Sequence, residues 1–177
     1  MAYLPTIKIL EELKARLDTL RTDAADAQSE RLFQRVAYFG ANRMAQAMQS
    51  VFASERRVAY LVPGGDTYTG RNDAALLVHS QRMTRVALLI ADQAVDLDRD
   101  DALMGGVASV GILAMKDRIV DELMTTPFTV PGLAFVPAEG EPLVIEPTER
   151  KAGNIGRECW LQWLVAYAGS AKANIPL

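Results

Sequence analysis

The sequence predicts an α+β fold, a mixed and mainly antiparallel β-sheet with two or three helices packed on one face. Apolar residues recur at three- and four-residue steps near the N-terminus and again past residue 104, the spacing of a helix with one buried stripe. They alternate at two-residue steps around residues 57–62 and 78–95, the spacing of strands. Past residue 132 the chain reads as a succession of strands.

The first helix spans residues 6–21, with Leu10, Leu13, Leu17 and Leu20 on one stripe, Thr6 as N-cap after Pro5, and the polar run from Thr22 to Asp26 as its stop. A short strand follows within 32–39, then a second helix over 41–52 that places Met44, Met48 and Val51 on one face. Arg57-Val58-Ala59-Tyr60-Leu61-Val62 reads as a strand stopped by Pro63-Gly64-Gly65-Asp66. Residues 64–76 hold three glycines with Asp66, Asn72 and Asp73, and read as a long exposed loop.

Residues 78–95 form a central strand, with Val86, Leu88 and Ile90 on one face and Arg85, Ala87 and Leu89 on the other. After the acidic turn 96–101, Met104, Ala108, Ile112, Met115, Ile119 and Leu123 line one continuous helix ending near Met124. Pro127, Pro131 and Gly132 end it, and strands follow at 133–136, 143–147 and 158–167. The tail 168–177 is read as extending away from the core.

At 177 residues, half of them hydrophobic and 23% charged, the chain is expected to fold as one domain over 1–177 with a real core. A net charge of −3 lacks the basic patch that phosphates or anionic lipid select. No basic stretch precedes an apolar one near the start, and no apolar run reaches the ~18 residues of a membrane span, so the expectation is a chain made in the cytosol with no membrane partner.

Chemistry-bearing residues are few. His79 is the single histidine and sits in a strand pattern, so it is read as structural, and Cys159 beside Trp160 is read as a buried thiol. Together they fall short of the four ligands of a structural zinc site. Asp96-Leu97-Asp98-Arg99-Asp100-Asp101 mimics the opening of a calcium loop but has Asp101 where that loop needs glycine and Val107 where it needs glutamate. The glycines at 64, 65 and 70 read as loop flexibility and those at 105, 106 and 111 as close helix packing, because neither set carries a phosphate-binding motif. Glu139, Glu141, Glu146 and Glu149 read as solvated carboxylates. The expectation is no enzyme, with no catalytic, cofactor-binding or metal-binding residue and no cofactor.

The order of elements resembles the small tail terminator proteins of tailed phages, the Gp37-like family. The resemblance runs from about Leu32 through Phe33-Gln34-Arg35-Val36, Val58-Ala59-Tyr60-Leu61-Val62-Pro63-Gly64-Gly65-Asp66, Asn72, the 81–90 strand, the helix leading to Pro127, and Trp160-Leu161-Gln162-Trp163 up to Tyr167. The chain departs from that pattern in its longer 124–141 segment with two prolines before Gly132. The resemblance implies a structural virion protein at the head-proximal end of the tail. Such a protein forms a homo-oligomeric ring, a hexamer, that caps the tail tube, stops its polymerisation and joins the tail to the head. Its implied partners are further copies of itself, the tail tube protein, a neck or head-completion protein and, in a contractile tail, the sheath protein. DNA would pass through the lumen without sequence-specific binding. The alternative is another neck, connector or baseplate protein. By composition, the 65–76 loop and the tail are expected to face partners, with Asp66, Tyr68, Arg71, Asn72, Ile175 and Leu177 as candidate interface residues.

Overall fold

The computed structural model describes residues 4–39, 57–73, 76–94, 101–106, 109–143, 156–168 and 171–172. Their elements are α1 (Thr6–Thr19), β1 (Arg35–Tyr38), β2 (Val58–Asp73), β3 (Leu76–Ala94), a single turn α2 (Asp101–Met104), α3 (Ile112–Thr125), β4 (Leu133–Leu143), β5 (Gly156–Ala168) and β6 (Ala171–Lys172). The strands form one sheet in the order β1-β2-β3-β5-β4, with β6 also on β3. Only β1 and β2 run parallel; the other pairs are antiparallel. This is the α+β fold that the periodicities predict. The helix expected at 41–52 and the acidic turn lie outside the described residues, apart from Asp101, which opens α2.

Both long helices cover the same face. Ile9, Leu13 and Leu17 of α1 and Ile112, Met115, Ile119 and Leu123 of α3 join Leu61, Val86, Leu88, Ile90, Leu164 and Phe135 in one buried cluster. Each fully buried Leu or Ile contributes roughly 1.5–3 kcal/mol relative to exposure, and this layer fixes the helices on the sheet. The N-terminal stripe is carried by Ile9 rather than Leu10, which is only half-buried. On the opposite face Val58, Tyr60, Leu89 and Ala91 form a second buried cluster, with Phe39 and Tyr60 edge-to-face at 4.5 Å. β2 over 58–61 and β3 over 86–91 are therefore apolar on both faces, as the sequence of β3 suggested near its middle.

Several expectations are corrected. Thr6 is not the cap of α1: Pro5 is, without a side-chain cap, and the Thr6 hydroxyl accepts a hydrogen bond from Arg82. The helix expected over 104–124 is broken. Gly105 and Gly111 take φ of +90° and +85°, and a Cβ at Gly111 would lie 2.2 Å from the nitrogen of Gly105, so backbone meets backbone in a loop between α2 and α3. The close packing read for these glycines is real but belongs to that loop, and Met104 is 65% exposed. The strand expected at 133–136 runs on to Leu143 through a bulge between Pro137 and Glu139, because pairing with β5 outweighs the local prolines; of the strand expected at 143–147, the rest lies outside the described residues. Nor does the whole tail extend away, since Ala171 and Lys172 pair with Ser80 and His79.

Candidate assembly interface

The largest correction falls on the candidate site. Of the residues expected to form the 65–76 loop, those from 65 to 73 and Leu76 belong instead to β2 and β3, which pair in register from Val58↔Ala91 out to Asp73↔Leu76. The glycines that suggested a loop sit at two bulges, between Pro63 and Gly65 and between Gly70 and Asn72, where the ladder absorbs an extra residue and continues. β1 pairs with β2 only up to Tyr38↔Leu61, and β5 pairs with β3 only from Met83 onward. Beyond these points β2 and β3 form an arm whose only further sheet partner, among the described residues, is the two-residue β6.

A polar clamp fixes the base of the arm. Arg82 donates from Nη1 to the carbonyl of Leu4 at 2.9 Å, while its Nε lies 3.1 Å from Oδ1 of Asp66. The same carboxylate oxygen accepts the Thr84 hydroxyl at 2.7 Å. Asp66 thus ties the arm to the start of α1 and is not a free contact residue. Tyr68 lies opposite Arg82 in register and is 58% exposed. On the other face the Arg85 guanidinium lies 5.0 Å from the centroid of Trp163, whose ring covers Gly64 so closely that a Cβ there would stand 2.4 Å from it. Glycine at 64 is required for that approach, a role its reading as loop flexibility missed. Arg71 and Asn72 lie on β2 near the end of the arm, with Asn72 opposite Leu77. Ile175 and Leu177 lie outside the described residues, and the chain leading to them passes beside the arm at β6.

His79 pairs with Lys172 on the arm, whereas Cys159 pairs with Ala91 on the same strand β3. The 12 residues from 79 to 91 at ~3.3 Å each separate the two by on the order of 40 Å, so they cannot act as a thiolate–imidazole pair within one chain. Among the described residues no three His, Cys, Asp or Glu side chains cluster as metal ligands. A cleft between α3 and the sheet, lined by Leu88, Ile90, Lys116, Ile119, Trp160 and Leu164, has a volume of about 10 Å³, at most one water. No helix among the described residues is long and apolar enough to cross a membrane.

Two shifted ionisable groups lie beside α1 and off the arm. Burial raises the Tyr38 hydroxyl above the ordinary tyrosine range, and the charges of Glu11 and Asp18 add to it. Burial also pushes Glu122 upward, but hydrogen bonds from Thr126 and Arg16 and the charges of Arg118 and Arg16 outweigh it and hold this carboxyl below the usual range.

No protein-family model matches this chain, and no curated protein sequence matches it either.

Proposed function

We propose that this chain is a structural virion protein, a ring-forming tail terminator that caps the tail tube of a phage and joins the tail to the head. The β2–β3 arm carries the reading. Strands of 16 and 19 residues run well past the part of the sheet that the helices cover, and Gly64 to Tyr68 are exposed along it. Strand length beyond the needs of the core is a means of reaching a neighbour. A closed ring needs two different surfaces on each subunit, and the arm on the β2 side with the β4 edge on the far side of the sheet supplies two. The resemblance in element order described above supports the same role. A net charge of −3 is compatible with a lumen past which DNA slides.

The test is the mass of the purified chain by light scattering, alone and with its tail tube protein. The expected result is a hexamer, or a smaller species that assembles on tube ends and halts their growth. A chain that leaves tube growth unaltered overturns the reading and points to another neck, connector or baseplate component.

A further inference from the structure

We infer that Arg21 and Arg31 form a binding site for a phosphate dianion, held between their two guanidinium groups on the outer face of the loop that follows α1. This loop is closed by one antiparallel bridge, Arg21 opposite Arg31. The Thr22 amide donates to the Glu30 carbonyl at 2.9 Å and the Leu32 amide to the Leu20 carbonyl at 2.8 Å, one on each side of the bridge. The two arginines are therefore a non-hydrogen-bonded cross-strand pair, the kind whose side chains stand closest, with Cβ atoms about 4.5–5.5 Å apart. Leu20 and Leu32 beside them are buried, so alternation along the chain turns both arginines outward on the same side.

Like charges set directly opposite each other destabilise a strand pair. This pair is not neutralised by its surroundings. Arg21 donates from Nη1 to the Ser29 carbonyl at 2.9 Å, a neutral acceptor. Arg31 is exposed and, among the described residues, its guanidinium has no ion pair or hydrogen bond. The carboxylates of the loop are engaged elsewhere: Asp23 accepts the Ala25 amide and Asp26 the Gln28 amide, each at 2.8 Å, and Glu30 meets Arg57 at 2.8 Å. The buried Arg57 donates to the Arg31 and Leu32 carbonyls and so fixes the backbone that carries Arg31. The C-terminal end of α1 accounts for one cation after its cap Leu20, not for two.

Charge and shape select the ligand class. A carboxylate carries one charge and is satisfied by one guanidinium fork. A phosphate, free or as a monoester, carries close to two charges at neutral pH and has oxygens enough to accept from both forks. The bridge sets the separation of the two arginines before the ligand arrives, which lowers the ordering cost of binding. A net charge of −3 conceals such a site, because the fold and not the composition brings the two residues together. The site lies at the opposite end of α1 from the clamp that Arg82 makes with Leu4, and it does not depend on the tail terminator reading.

The test titrates inorganic phosphate, phosphoserine and sulfate into the full chain at constant ionic strength and follows the arginine Nε–Hε resonances by NMR. Those of Arg21 and Arg31 are expected to move together along one saturating curve. Phosphate and phosphoserine should bind more weakly once the pH falls below their second ionisation, at ~6 for the monoester, whereas sulfate keeps both charges and should not change. Arg21→Gln and Arg31→Gln are each expected to weaken phosphate binding about tenfold, since each removes charge-assisted hydrogen bonds. Arg35→Gln removes the same charge from an exposed position on β1 and should weaken it less than about twofold, because salt screens a cation outside the pair. Tighter binding of phosphoserine assigns the ligand as a phosphoryl group on an organic carrier, and the reverse order assigns it as free phosphate. Arg21 and Arg31 resonances that none of the anions moves overturn the inference. So does an R35Q that loses as much as R31Q, because binding then follows overall charge and not the pair.

Discussion

Arg16 on α1 and Glu122 on α3 stand 106 residues apart in sequence and meet with Nη1 3.0 Å from Oε1, their side chains 13% and 15% exposed. The same guanidinium donates from Nη2 to the carbonyl of Pro127 and lies 5.1 Å from the Phe128 ring, which packs on Phe135 of β4. One cation thus fastens α1, α3 and the segment leading into β4. A double-mutant cycle with Arg16→Met and Glu122→Gln should give a coupling of about 1–2 kcal/mol, above the usual value of an exposed pair and below that of a fully buried one. Urea denaturation of the four variants measures it, and a coupling near zero would mean that packing alone sets the helix pair.

The lowered ionisation of Glu122 makes that coupling depend on pH. A carboxyl held below its unfolded value stabilises the fold above the ordinary glutamate range and loses this contribution as pH falls through its own lowered value. The stability gap between wild type and E122Q should therefore be widest at neutral pH and shrink on acidification. Urea midpoints at a series of acidic pH values check this, and a gap that stays constant would assign the pair no electrostatic role.

Local periodicity carried the reading of the fold where burial is one-sided or continuous. The stripe Ile112, Met115, Ile119, Leu123 and the alternation in 86–90 are buried as their spacing demands. It failed where long-range pairing decides. Nothing local distinguishes a glycine that ends a strand from one that bulges within it, so the arm around Tyr68 reads as a loop until β3 is laid beside it. The break at Gly105 and Gly111 was written in the glycines themselves, but the apolar stripe continues across it and hides it. Of the candidate contacts, Asp66 is engaged within the clamp by Arg82, 16 residues away in sequence, a partner that no local pattern announces.

Arg57 shows the same limit and carries the third prediction. Its guanidinium is buried and donates from Nε to the Leu32 carbonyl at 3.0 Å and from Nη2 to the Arg31 carbonyl at 3.2 Å and Glu30 at 2.8 Å. Glu30 is 79% exposed, so its share is small, whereas the carbonyls need a planar fork that lysine lacks. Arg57→Lys should cost about 1.5–3 kcal/mol and Glu30→Gln less than about 1 kcal/mol. Chemical denaturation ranks the two, and equal losses would place the strength in the ion pair.

Gly111 and Gly65 separate two reasons for a glycine. Both have positive φ, +85° and +97°, which alone costs a side chain roughly 1–3 kcal/mol. At Gly65 an added Cβ meets nothing within 4 Å, so Gly65→Ala should cost only that conformational term. At Gly111 the Cβ would stand 2.2 Å from the Gly105 nitrogen and 2.5 Å from the Met104 carbonyl carbon, backbone atoms that cannot rotate away. Moving them would also pull the Gly111 amide from the buried Asp92 carboxylate, which accepts it at 2.8 Å where α3 begins. Gly111→Ala should therefore exceed Gly65→Ala by about 2 kcal/mol or more, a further drop in Tm of roughly 4–8 °C for a chain of this size. Thermal unfolding of the two variants decides it: equal drops would mean that the loop between α2 and α3 gives way without strain, and that Asp92 does not hold the start of α3.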